Sequence, residues 1–184
     1  MFPARLVEKL RVKYKNEEKL AQAIMIAQIH GEWTMAKDKP QKQARVLVAE
    51  DNPQGAELLE AYLSETDYDV EIVADGEETL KKVREWHPEV LLLDVMMPKM
   101  SGFEVCKHIK ADPATKDIVV LMVTALDQAS DVDRAVAAGT NDFFTKPVNK
   151  TELLLRVRSA LKSRQFSNPV AQTLAYMEGV AAGQ

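Results

Sequence analysis

The chain has 184 residues, of which 46% are hydrophobic and 28% charged, with a formal net charge of -4 and a single cysteine, Cys106. This profile fits a soluble globular protein with one ordinary domain and an appendage. It excludes an internal disulfide, a cysteine metal cluster and, since no apolar run nears the roughly 20 residues that span a bilayer, a transmembrane helix. No signal-peptide pattern opens the chain, so a cytoplasmic protein is expected.

The charge is unevenly placed. Residues 1–43 carry nine Lys/Arg against five Asp/Glu, and residues 44–166 carry fifteen against twenty-two. A net-acidic body argues against general nucleic-acid binding, which rests on clustered cations. DNA contact through the basic N-terminal part stays open as a minor reading, marked by steep salt dependence.

Residues 4–37 contain no proline and place Leu6, Val7, Leu10, Tyr14, Leu20, Ala23, Ile24, Ala27 and Trp33 largely three or four apart. That spacing predicts an N-terminal helical extension over residues 1–39, with two helices meeting near Asn16, where Glu17 and Glu18 suit a capped first turn. Ile24, Met25, Ile26 and Ile29 are too apolar for a disordered leader. An amphipathic extension needs a surface: the main domain, a second copy in a homodimer, or a partner protein. Residues 40–44, with Pro40, read as a linker.

From Arg45 the chain alternates. Residues 45–50 predict a strand ending in acid, and residues 54–65 a helix with Leu58, Leu59, Tyr62 and Leu63. A strand at 69–74 and a helix at 76–86 follow, the latter stopped by His87-Pro88. Residues 90–94 form an unbroken apolar run that ends on Asp94, the pattern of a parallel strand covered on both faces. A helix at 101–111, a strand at 118–123 ending at Thr124, a helix at 130–138, a strand at 142–145 and a helix at 150–162 complete residues 45–164. Five strands alternating with five helices predict an α/β fold, a parallel sheet wrapped on both faces. Residues 165–184 are a tail, with a short helix over 170–177.

Parallel strands send their carboxyl ends to one edge, where ligands gather in open α/β sheets. Strand one delivers Glu50 and Asp51 there, strand three Asp94, strand four Thr124 and strand five Lys146. Taken alone, Asp94 also reads as a turn cap. Taken together, three carboxylates repel unless a cation intervenes, and Mg²⁺ is the oxygen-preferring ion that answers this. A lysine and a hydroxyl beside them suit phosphoryl transfer to a carboxylate nucleophile. His30, His87 and His108 lie away from the strand ends, so no serine–histidine relay is indicated. Cys106, on an apolar helical face, reads as core.

Glu50-Asp51, Asp94-Val95-Met96-Met97-Pro98-Lys99-Met100-Ser101-Gly102, Thr124-Ala125 and Lys146-Pro147 resemble, in that order, the receiver domain of two-component response regulators. The resemblance covers residues 44–164 and implies a flavodoxin-like receiver fold. It implies that Asp94 is the phosphoacceptor, taking phosphate from a sensor histidine kinase or a phosphotransfer protein. Asp51 and Asp94 would bind Mg²⁺ with the backbone carbonyl of Met96, and Glu50 would hold a metal-bound water. Thr124 would bond the phosphoryl group, Lys146 would pair with Asp94, and the Lys146-Pro147 bond would be cis. Thr124 and Phe143 match the switch pair, with phenylalanine where tyrosine is commoner, so the ring can move but has no hydroxyl to bond. The resemblance implies a signalling domain, not an enzyme beyond its own Mg²⁺-dependent phosphorylation and dephosphorylation. Its output would be a downstream protein effector or dimerisation. The alternative is a receiver piece of a larger regulator, since residues 147–158 resemble receivers that precede diguanylate cyclase or kinase modules; a DNA-binding effector would fit the same scheme.

Overall fold

The computed structural model describes residues 43–125, 129–166 and 168–183, with backbone alone at Ala129, Ser130 and Pro169. The expected helical extension over residues 1–39, with its Asn16 cap, lies outside the described residues. Strands β1 (Arg45–Ala49), β2 (Asp69–Val73), β3 (Val90–Asp94), β4 (Val119–Thr124) and β5 (Asp142–Thr145) pair in the order β2-β1-β3-β4-β5. Every pairing is parallel. The crossovers are helices α1 (Pro53–Leu63), α2 (Gly76–Trp86), α3 (Gly102–Ala111) and α4 (Ala129–Ala138), and α5 (Lys150–Ser163) follows β5. This is the doubly covered parallel sheet expected from the alternation.

The side-chain period of two sorts each central strand between two cores. Leu47 and Ala49 of β1 and Leu91 and Leu93 of β3 enter one core with Val83 of α2, Phe103 and Ile109 of α3 and Ala135 of α4. Val46, Val48, Val90 and Leu92 enter the other with Leu59 and Leu63 of α1 and Leu153 and Val157 of α5. Central β3 is buried along its whole length, which explains why its sequence shows no polar alternation. Each fully buried leucine there contributes about 1.5–3 kcal/mol through removal from water. Cys106 belongs to the first core, and burial pushes its thiol up to about 11, so it stays a protonated packing residue.

Local chemistry sets the helix starts. Asn52 accepts the amides of Gln54 and Gly55 at α1, and Asp75 accepts that of Glu78 at α2. Asn149 accepts the amide of Glu152 at α5. His87 ends α2 in the left-handed region at φ 50, a capping position rather than a ligand position.

The tail departs from its expected form. Its helix, α6, runs Pro169–Ala181, beyond the expected 170–177 at both ends. Asn168 accepts the Val170 amide and Pro169 takes the first turn, a strong start signal. Gly179 does not stop the helix. It lets α6 lie against α5, where a Cβ would come 2.5 Å from Ser159 Oγ.

Candidate functional site

The three acids expected at the strand ends meet. Glu50, Asp51 and Asp94 each present a carboxylate oxygen, and these oxygens lie within 4.8 Å of one another. Glu50 and Asp94 are buried, at 2% and 5% exposure, and Asp51 is open to solvent. β1 and β3 are neighbours in the sheet, so the ends of the two strands bring these residues side by side.

Lys146, just beyond β5, reaches across the edge. Its Nζ donates to Asp94 Oδ2 at 2.7 Å and to Glu50 Oε1 at 2.8 Å. Glu50 Oε2 is equally near, at 2.8 Å, but is not aligned to accept and has no hydrogen bond. Burial opposes the charge on Lys146, yet hydrogen bonds to Asp94 and Glu50 outweigh it and hold its pKa above the ordinary lysine value. Burial pushes the Glu50 carboxyl up; Lys146 pulls it back, and the Asp94 charge adds to the rise. One ammonium thus faces two buried carboxylates with a third beside them, leaving room for a further positive charge. The donors are hard oxygens, the set that suits Mg²⁺.

The loop after β3 orients the Asp94 carboxylate. The Met96 amide donates to Asp94 Oδ1 at 3.1 Å, which orients the carboxylate, while the Met96 side chain is 65% exposed. Lys99 sits at φ 66 and places its Nζ 2.5 Å from Asp75 Oδ2, tying this loop to the start of α2. The Lys146-Pro147 bond is cis. Thr124 is buried at the end of β4, and its carbonyl accepts the Lys146 amide at 2.7 Å.

Phe143 stands apart from the carboxylates. It pairs with Met122 in the sheet and packs on the first core, and with Thr124 it lines a small cavity walled by Val95, Phe103, Val132 and Ala135. Beside it lies a group that sequence reasoning missed. Asp142 accepts from Arg156 of α5 and from the Tyr176 hydroxyl of α6, while Arg156 also donates to Glu152 at 2.5 Å. The spacing of Glu152 and Arg156 and the single aromatic of the tail helix were the only hints of it in the sequence.

Among the described residues no helix is long and apolar enough to cross a membrane. The family model described as "Response regulator receiver domain" matches residues 46–158. The response regulator PleD of Caulobacter vibrioides is 40% identical over 129 residues, covering 70% of this chain and 28% of PleD. The DNA-binding dual master transcriptional regulator RpaA of Synechocystis is 37% identical over 118 residues, 64% of this chain and 49% of RpaA. The chain thus spans half or less of these curated relatives. Among solved structures, a putative response regulator from Chloroflexus aurantiacus matches with a TM-score of 0.63 at 35% identity, covering 66% of this chain and 99% of that one. The signal receiver domain of a histidine kinase from Syntrophus aciditrophicus matches with a TM-score of 0.64 at 32% identity, covering 68% and 96%. The fold agrees with these solved structures, and the chain belongs to the response regulator receiver domain family.

Proposed function

We propose that Asp94 accepts a phosphoryl group from a phosphohistidine on a sensor histidine kinase or phosphotransfer protein. The observation that carries this reading is the Lys146 ammonium bridging buried Asp94 and Glu50 beside Asp51. An Asp94 oxygen attacks phosphorus as the P–N bond of the donor breaks, and the departing imidazole takes up a proton. Lys146 stays charged and faces the oxygens on which negative charge builds. Thr124, at the adjacent strand end, supplies a hydroxyl to the transferred group. Asp51 and Asp94, with the Met96 carbonyl, are the residues that would hold Mg²⁺, and Glu50 would hold one of its waters. The bound ion would screen the carboxylates and the phosphoryl oxygens from one another.

Phosphate brings nearly two negative charges next to Thr124 and Lys146. Thr124 and Phe143 line one small cavity, so a shift of Thr124 toward the phosphate would bear on the ring and carry the signal into β5. The readout is contact with a protein partner or a second copy through the N-terminal segment, in the cytoplasm. A second reading has a specific support: the chain spans only 28% of PleD and 49% of RpaA. On that reading this receiver governs an effector, of diguanylate cyclase, kinase or DNA-binding type, elsewhere in a longer protein.

With Mg²⁺ and acetyl phosphate, the protein should gain one acid-labile phosphate per chain, read by intact mass. Asp94→Asn should gain none, and a chelator should abolish the gain in the parent. Labelling that persists in Asp94→Asn would falsify the assignment.

A further inference from the structure

The C-terminal helix α6 is tied to the strand that carries the proposed switch residue. β5 is an edge strand, and α6 runs beside it, with a groove lined by Asn141, Asp142, Tyr176, Met177 and Val180 between them. The tie is polar and specific. Asp142 Oδ2 accepts both the Tyr176 hydroxyl and Arg156 Nη1, while Asp142 Oδ1 accepts the Phe143 amide at 2.9 Å. Arg156 Nη1 also reaches the Phe143 carbonyl at 3.5 Å. The peptide groups on both sides of Phe143 are therefore held by Asp142 and Arg156, and Asp142 also holds Tyr176.

The two ends of this arrangement lie on opposite faces of the sheet. The Phe143 ring packs on the core beneath α2, α3 and α4, and Tyr176 packs on the core beneath α1 and α5. Any displacement of the Phe143 backbone moves the Asp142 carboxylate and so changes the hydrogen bond that holds α6. The rest of α6 lies along α5, with Ala175 buried and Gly179 against Ser159, while Val170, Leu174 and Met177 are 67%, 55% and 60% exposed, so the strap can loosen at its outer side without losing that seam.

We propose that α6 is a strap on the switch strand, latched by Tyr176 on Asp142 and loosened when phosphorylation of Asp94 repositions Phe143. This rests on Asp94 being the phosphoacceptor. Loosening would free the outer side of α6 for the downstream contact. Linkage makes the coupling reciprocal: whatever weakens the latch also shifts Phe143.

Hydrogen exchange of the full chain, followed by mass spectrometry on peptides from α6, tests the strap. With Mg²⁺ and acetyl phosphate, α6 should exchange roughly tenfold faster, the scale of losing one hydrogen bond to a charged acceptor. Tyr176→Phe should exchange at the fast rate without phosphate, while still taking up phosphate, to a level no lower than the parent's. Phe143→Ala should also speed exchange in α6, although the ring lies on the other face. Phosphate uptake confirmed by intact mass, with α6 protection unchanged, overturns the strap and leaves the phosphoacceptor standing. If no phosphate is taken up, the phosphoacceptor reading falls instead and the Phe143→Ala arm decides the coupling: unchanged α6 protection there overturns it.

Discussion

The Met96 amide holds the Asp94 carboxylate in one orientation, and one neighbouring residue bears on whether that orientation survives. Gly102 donates its amide to the Val95 carbonyl at 3.0 Å, folding the loop back onto the end of β3. A Cβ at Gly102 would meet the Asp94 carbonyl oxygen at 2.2 Å and Val95 Cα at 2.9 Å. Both are backbone atoms, so no side chain can turn aside to make room. Gly102→Ala should therefore lower stability by about 2–3 kcal/mol, the upper range for overpacking. Because the atom struck belongs to Asp94 itself, phosphate uptake should slow as well. Urea unfolding and the rate of acetyl phosphate labelling measure the two effects. A variant that matches the parent in both would show that the loop yields freely. The sequence made Asp94 visible because an acid ending a leucine run is out of place. It left the double contact of Lys146 unseen, since the lysine's reach to Glu50 as well as Asp94 depends on how three strand ends converge.

At the scale of elements, α3 shows how local chemistry steadies the loop that carries the site. Ser101 caps it, with its amide donating to Glu104 Oε2 at 3.0 Å and its hydroxyl to the same oxygen at 2.7 Å. The Glu104 amide in turn reaches Ser101 Oγ at 3.4 Å, closing a capping box. Ser101→Ala should cost about 1 kcal/mol in urea unfolding, the usual loss for an N-cap serine. The hydrogen bonds from Ser101 hold the Glu104 carboxyl below its ordinary value of 4.5. A lowered folded pKa gives stability that is present above the unfolded value and lost as the pH falls through the folded one. The difference between parent and variant should thus narrow in acid, and a gap that stays constant or widens below pH 4.5 would refute the role of Glu104. Elements of this kind were legible because cap, period and breaker agree in sequence. α6 was legible only in its middle. Its length depends on Gly179 meeting Ser159 of another helix, a contact no local pattern encodes. The Asp142, Arg156 and Tyr176 group was hidden for the same reason, being drawn from β5, α5 and α6.

For the whole molecule, the question is what the first forty residues add to the receiver. Residues 43–184 form one compact unit, and among the described residues the side chains of both cores fall between Val46 and Tyr176. A domain of that size buries enough surface to fold alone. Removing residues 1–39 should therefore leave phosphate uptake and the urea midpoint of the receiver nearly unchanged. The removed stretch is another matter: its sequence carries the apolar residues Ile24, Met25, Ile26 and Ile29 and a charge balance of opposite sign to the acidic body. An apolar stretch of this kind gains by being covered against a second copy, where it meets itself in a self-complementary contact. The full chain should thus sediment as a larger species than the truncated one, in proportion to its concentration, and added salt should weaken that association only slightly if the contact is apolar. Sedimentation of both chains, with and without phosphate on Asp94, separates the cases. Equal stoichiometry for the full and truncated chains would remove the N-terminal segment from assembly. Association that collapses as salt rises would assign it to charge rather than to the apolar residues.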